Sequence, residues 1–106
     1  MKVLVRNPDV AWRVEERNLL NVVEGMKKGT APGDEPCVTL VKGGVLCQLN
    51  YIGSQIWEMA DGTRGEAEIA VEIGKIFDAP ENSIAKDVRE FIADLTSESW
   101  ALWAEK

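Results

Sequence analysis

Two adjacent glycines, Gly43 and Gly44, constrain the fold more than any other feature of the sequence. They separate two runs rich in β-branched and aliphatic residues, at 37–42 and 45–50. Because glycine adopts positive φ angles without a steric penalty, such a pair is typical of a two-residue turn between antiparallel strands. The sequence therefore predicts a β-hairpin, and the turn fixes which residue of one strand faces which residue of the other.

The predicted register also decides what the two cysteines can do. Cys37 and Cys47 would point to opposite faces of the hairpin, so they cannot form a disulfide with each other. The chain contains no histidine, and two cysteines alone make a poor metal site. We therefore expect two reduced thiols, with Cys47 acting as a small apolar side chain on the face that covers the core. The other apolar residues of that face are Val38, Leu40, Val45 and Leu49.

Before the hairpin the sequence again favours strands, interrupted by one long loop. Residues 10–14 alternate apolar and other side chains, and residues 19–23 form a second short β-rich run. The segment 25–36 contains three glycines and two prolines, a composition typical of a loop. We therefore expect three antiparallel strands, and a fourth where residues 19–23 also pair.

After the hairpin the apolar residues recur at helical spacing. The first helix is expected to end at Asp61 and Gly62, and the T-x-x-E pattern at 63–66 is a capping box that opens a second helix. A similar start pattern at 78–81, with proline in the first turn, opens a third helix that runs to about Glu98. Strands followed by three helices predict an α+β fold, and we expect the whole chain to form a single domain. The apolar positions that these helices would bury are Ile52, Ile56, Trp57, Met59, Ala60, Ile69, Ala70, Ile73, Ile76, Phe77, Ile84, Val88, Phe91, Ile92 and Leu95.

The sequence lacks the residue patterns that most catalytic sites need. The absence of histidine removes the commonest general base and the commonest metal ligand. Ser54 does not lie in a nucleophile motif, and the glycine pair lacks the lysine and hydroxyl residue of a phosphate-binding loop. We therefore expect no catalytic residue, no metal and no cofactor. Its apolar segments are too short for a transmembrane helix or a secretory signal, so we expect a cytoplasmic protein without a membrane partner.

The net charge of −6 is concentrated in the second half of the chain. Residues 1–50 carry seven cationic side chains against six carboxylates, whereas residues 51–106 carry five against twelve. Strands followed by three helices also describe winged-helix DNA-binding domains. The predicted third helix, however, carries two cations against five carboxylates, so it would repel phosphate. We therefore expect no nucleic-acid partner, with a winged-helix DNA-binding or regulatory domain as the alternative.

One run of the sequence resembles a known family. Residues 49–63 read L-N-x-x-G-x-x-I-W-E-x-x-D-G-T. Apolar positions follow in both later helices, at Ile69, Phe77, Val88, Phe91 and Leu95. Over residues 38–96 the chain is similar to the PqqD family, whose members act in pyrroloquinoline quinone biosynthesis and in related peptide-modifying pathways.

The resemblance implies a winged-helix-like fold of three strands and three helices, and a function without catalysis. Such proteins bind the leader segment of a ribosomally made precursor peptide. They deliver it to a modifying enzyme, frequently a radical S-adenosylmethionine enzyme. The leader adds as an extra strand beside the third strand and against the third helix, which here correspond to residues 45–49 and 81–95. An unpaired strand edge offers main-chain donors and acceptors for such an addition.

The resemblance places nine candidate peptide-binding residues on these two elements. Lys86 and Arg89 would anchor acidic residues of the leader, or would only balance the neighbouring Glu90 on a solvated face. Val88 and Ile92 would line the groove or fill the core. The full set is Val45, Leu46, Cys47, Gln48, Leu49, Lys86, Val88, Arg89 and Ile92.

Two segments depart from the family pattern. The loop at 25–36 is longer than a compact connection, and it would lengthen the peptide groove or have no role. Trp100 and Trp103 stand where the family has glycine and aliphatic residues, and on a helix they would share one face. They would pack back over the sheet, or they would form an apolar patch for a partner enzyme or for a second copy in a homodimer. A protein–protein module outside peptide modification is a third function left open.

Overall fold

The structure, a computed structural model, describes residues 1–77 and 81–106, the side chains of residues 81 and 82 excepted. The described residues form two compact units, one made of Asp9–Ser54 and the other of Met1–Pro8 with Gln55–Lys106. The predicted mixture of helices and antiparallel strands is confirmed. The described residues form five strands and four helices, however, rather than three or four strands and three helices. No helix among them is both long enough and apolar enough to span a lipid bilayer.

The elements follow one another in an order that places strands at both ends of the chain. They are β1 (Lys2–Arg6), β2 (Ala11–Val14), α1 (Glu16–Lys27), β3 (Val38–Lys42), β4 (Val45–Leu49), α2 (Tyr51–Met59), α3 (Glu66–Phe77), α4 (Glu81–Ser97) and β5 (Ala101–Glu105).

The unit at residues 9–54 is built on a three-stranded antiparallel sheet in the order β2-β3-β4. The predicted hairpin is confirmed together with its register, in which Lys42 pairs with Val45, Leu40 with Cys47 and Val38 with Leu49. Gly43 and Gly44 have φ angles of 58° and 80°, the left-handed conformation that glycine adopts without strain. The side chains that the hairpin buries are Val38, Thr39, Leu40 and Leu49.

Residues 19–23 belong to α1 and do not form a strand, so this part of the prediction is wrong. Within the helix, apolar side chains recur three and four residues apart, at Leu19, Val22 and Met26. A five-residue run is too short to show this spacing, and its two pairs of aliphatic residues imitate a strand. Because α1 continues to Lys27, the loop that follows it is shorter than predicted.

The unit that contains both chain ends has a strand pair that the sequence analysis missed. β1 pairs antiparallel with β5, and its other edge is bonded to the segment after α2. There, the Leu4 N–H donates to the Arg64 carbonyl at 2.9 Å, and the Leu4 carbonyl accepts from the Gly62 N–H at 3.0 Å. β1 is therefore hydrogen-bonded on both sides, and Leu4 is fully buried.

The three helices predicted after the hairpin are confirmed as α2, α3 and α4, but the start of α3 is shifted. Gly65 rather than Thr63 precedes the helix, and its N–H donates to Oε1 of Glu68 at 3.1 Å. Thr63 instead donates its N–H and hydroxyl to the Asp61 carboxylate, and these bonds lower the pKa of Asp61. The start pattern predicted at 78–81 lies mostly outside the described residues, which omit 78–80. The buried side chains of the three helices include Ile56, Trp57, Ile69, Ala70, Ile73, Ile84, Val88, Ile92 and Leu95.

Both cysteines are free thiols, as predicted, but their burial is the reverse of the prediction. Cys37 is fully buried, whereas Cys47 is half-buried. Cys37 lies just before β3, where its N–H donates to the Leu49 carbonyl at 2.7 Å. Its carbonyl accepts from the N–H of Glu15 at 2.8 Å. Because Cys37 is bonded to a neighbouring segment on each side, it is covered although it lies at the end of the hairpin.

Candidate functional site

β4 forms one edge of the three-stranded sheet, and the main-chain groups of two of its five residues point away from β3. The residues that flank a two-residue turn form a hydrogen-bonded pair, and such pairs alternate along an antiparallel ladder. Val45, Cys47 and Leu49 therefore bond to β3. The N–H and C=O groups of Leu46 and Gln48 point outward, where no strand among the described residues pairs with them.

The side chains of β4 alternate in exposure from Leu46 onward, whereas Val45, predicted on the face that covers the core, is exposed beside the turn. Val45 and Leu46 are 60% and 62% exposed, and Gln48 is also exposed. Cys47 is half-buried and Leu49 is buried in the core. Of the five β4 residues predicted at the site, three side chains therefore lie at the surface, while Leu49 anchors the strand.

The outer face of this sheet carries a shallow apolar cavity that the sequence analysis did not identify. Its volume is about 320 Å³. Trp12 and Leu46 both line it, and both are more than a third exposed. The alternation of apolar and other side chains in residues 10–14 predicted a strand, but only its pairing with β3 shows which residues meet on this face. The lining residues are Ala11, Trp12, Arg13, Thr39, Val41 and Leu46.

The Glu15 carboxylate, next to the cavity residues Arg13 and Thr39, accepts hydrogen bonds from both of them. Thr39 Oγ1 donates to Oε2 of Glu15 at 2.6 Å, and Arg13 Nε donates to the same oxygen at 3.0 Å. The Thr39 hydroxyl contributes most to lowering the pKa of Glu15, and Arg13 lowers it further. Thr39 is nearly buried, so its hydroxyl has its partner in this carboxylate.

This hydrogen bond predicts a contribution of Glu15 to stability that depends on pH. Because the pKa is lower in the folded state, the contribution is complete above the ordinary carboxyl pKa and is lost as the pH falls through the folded value. We expect Thr39→Val to reduce the difference in urea midpoint between neutral and acidic pH, and Thr39→Ser to preserve it. An unchanged acid dependence in Thr39→Val would show that this hydrogen bond has no role.

The described residues contain neither a metal centre nor an activated thiol. No group of three or more Cys, Asp or Glu side chains among them is arranged to hold a metal ion. Burial raises the pKa of both Cys37 and Cys47, the opposite of the shift that activates a cysteine nucleophile. The site therefore offers main-chain hydrogen bonds and apolar contacts.

On α4 the four predicted residues divide between the surface and the core. Lys86 and Arg89 are exposed and lie three residues apart on one face of the helix. Val88 and Ile92 are 0% and 1% exposed, so their side chains fill the core of their own unit. The helical period allowed both roles for Val88 and Ile92, and only the packing of the helix decides between them.

The two tryptophans near the end of the chain do not share a helix face, so that expectation is wrong. Trp100 is buried in the turn after α4, where its N–H donates to the Leu95 carbonyl at 2.9 Å. Trp103 lies in β5 and is 37% exposed. The chain leaves the helix before both tryptophans, at Ser99, which adopts a left-handed φ of 58°.

Comparison with known proteins identifies the family of most of the chain. The family model described as Coenzyme PQQ synthesis protein D (PqqD) matches residues 37–101. The match covers β3, β4 and the three helices that follow, whereas β1, β2 and α1 lie outside it. No curated protein and no solved structure matches the chain.

Proposed function

Since the chain belongs to the PqqD family, we propose that it is a non-catalytic adaptor for a ribosomally made precursor peptide. It binds the leader segment of that peptide in the cytoplasm and presents it to a separate modifying enzyme, of the radical S-adenosylmethionine class or a comparable one. The observation that supports this proposal is the unpaired outer edge of β4, which offers the main-chain groups that strand addition requires.

The leader binds as an extended strand along β4. The outward N–H and C=O groups of Leu46 and Gln48 give four main-chain hydrogen bonds, which fix the direction and register of the peptide without reading its sequence. The exposed side chains of Val45 and Leu46 add apolar contacts for alternate residues of the leader. Main-chain bonding therefore supplies affinity, and the exposed side chains supply selectivity.

The two exposed cations of α4 provide a second part of the recognition. Lys86 and Arg89 are available to pair with acidic residues of the leader, because both side chains are exposed. Val88 and Ile92 contribute indirectly, by holding α4 in the core of its unit. We assign the contacts of the peptide on this helix to the two cations.

A titration of the ¹⁵N-labelled chain with leader peptides tests the proposal directly. The peptides are those encoded by short reading frames beside its gene, with scrambled peptides of the same composition as controls. We expect the amide signals of Leu46 and Gln48 to shift most in β4, together with those near Lys86 and Arg89. Saturable binding that leaves the β4 amides unchanged would refute the placement of the site. Salt-sensitive binding of duplex DNA without peptide binding would support a DNA-binding domain instead.

A further inference from the structure

The β1–β5 sheet has one open edge, the outer edge of β5. Two hydrogen bonds that flank the β1–β5 pair show which residues of β5 bond to β1. They run from the Asn7 N–H to the Trp100 carbonyl at 3.0 Å and from the Lys106 N–H to the Met1 carbonyl at 2.9 Å. Because bonded residues alternate along each strand, the N–H and C=O groups of Trp103 and Glu105 point away from β1. No strand among the described residues pairs with them.

This edge lacks the features by which proteins usually block edge pairing. β5 contains no proline and keeps an unbroken register with β1, so neither a missing N–H nor a bulge interrupts it. Leu102 and Trp103 are 39% and 37% exposed on its two faces, and the only charged side chain within β5 is that of Glu105 at its end. Ala101 is fully buried, so the accessible part of the edge runs from Leu102 onward.

We propose that this edge binds a second copy of the chain, so that two β1–β5 pairs join into one antiparallel four-stranded sheet. The register that uses both outward residues places Trp103 of one copy opposite Glu105 of the other. Ala104 then faces its own equivalent at the two-fold axis. The interface has four main-chain hydrogen bonds, of which each copy donates two and accepts two, as an isologous interface requires. The small side chains of Ala104 let the strands meet closely at the axis.

The charges at the end of the edge suit a second copy. Glu105 lies opposite Lys2 in the sheet, and its Oε2 is 3.2 Å from the Met1 ammonium nitrogen. With Lys106 next in the chain, this corner has an excess of positive charge, although the chain as a whole has a net charge of −6. In the proposed register, the two Glu105 side chains lie diagonally across from each other, and each keeps the cations of its own copy beside it. The charges at this corner therefore allow the self-pairing for which the main-chain groups are arranged.

Sedimentation equilibrium over a range of protein concentrations, with no peptide present, tests this proposal. We expect the wild type to form dimers and Trp103→Pro to raise the dissociation constant at least about tenfold, because proline removes an outward N–H without disturbing the bonds to β1. Trp103→Tyr keeps that N–H and should still form dimers. Gln48→Pro, the matched change on the β4 edge, should form dimers like the wild type.

Two results would overturn the proposal: a wild type that stays monomeric at every concentration, or a Trp103→Pro variant that still forms dimers. Hydrogen exchange of the wild type gives an answer independent of any variant. The amides of Trp103 and Glu105 should become more protected as the protein concentration rises, and equal exchange at all concentrations would also refute the pairing. Dimers that Gln48→Pro abolishes would place the interface on β4 instead. None of these measurements depends on the peptide-binding function.

Discussion

A Gln48→Pro variant is expected to bind leader peptide at least about tenfold more weakly than the wild type. The N–H of Gln48 points away from β3, so proline removes a donor to the peptide and leaves the internal ladder of the hairpin intact. Its ring also occupies the space where the peptide backbone would approach. Main-chain bonds supply much of the affinity in strand addition, so the loss of one bond and of close contact has a large effect.

Two matched variants separate this effect from a change in the fold. Gln48→Ala keeps the N–H and should bind like the wild type, since the side chain is exposed and only the main chain is used. Cys47→Pro removes an N–H that bonds to β3, so it should destabilise the hairpin and lower the thermal midpoint. Isothermal titration calorimetry gives the affinities, and far-UV circular dichroism checks the fold. Wild-type affinity in Gln48→Pro would exclude the β4 edge as the binding site.

Trp57→Ala is expected to have the largest effect on stability, a loss of about 3–5 kcal/mol in the free energy of unfolding. Trp57 is 0% exposed and is the largest of the fully buried side chains. Truncation leaves a cavity in a closely packed interior, which relaxes only partly around it. Arg6 Nη1 donates hydrogen bonds to the Trp57 and Glu58 carbonyls at 2.9 and 3.1 Å, and these bonds hold the end of α2 in place. Natural domains are stable by about 5–15 kcal/mol, so the variant should lose a large share of its stability.

Urea denaturation followed by far-UV circular dichroism measures this loss. Trp12→Ala is the matched control, because it makes the same change at a position that is 39% exposed, and it should cost clearly less. Equal losses in the two variants would contradict the central role of Trp57 in the core. A Trp57→Phe variant, which keeps most of the buried area, should fall between the wild type and Trp57→Ala.

The parts of the fold that depend on residues close together in the sequence could be predicted from it. The hairpin needs only its glycine pair and two flanking runs, so its register followed from residues 37–50 alone. The helical spacing of apolar side chains in α2, α3 and α4 is likewise visible within the sequence of each helix. The β1–β5 pair joins residues at opposite ends of the chain, and no local pattern indicates which distant strand Val3 or Leu4 will meet.

The candidate site was predictable to the same extent. The family resemblance pointed to β4, and its alternation correctly predicted exposed Leu46 and Gln48 and buried Leu49, but not exposed Val45. Which edge of a sheet stays open is decided by strands far apart in sequence, so β2 beside β3 had to be seen in the structure. On α4, Lys86 and Val88 are two residues apart and face different surroundings. Their roles separate only once the helix has packed.

The double bonding of β1 has a consequence for the order in which the protein can fold during synthesis. Residues 9–54 are contiguous, so their sheet can pair as soon as they leave the ribosome. β1 is synthesised before its partner β5, so Lys2 cannot pair with Glu105 until more than a hundred residues have been added. At ordinary rates of translation that interval lasts about 5–20 s. Throughout it, the edge of β1 that faces β5 stays unpaired, and an apolar strand in that state is open to capture by chaperones or by other nascent chains.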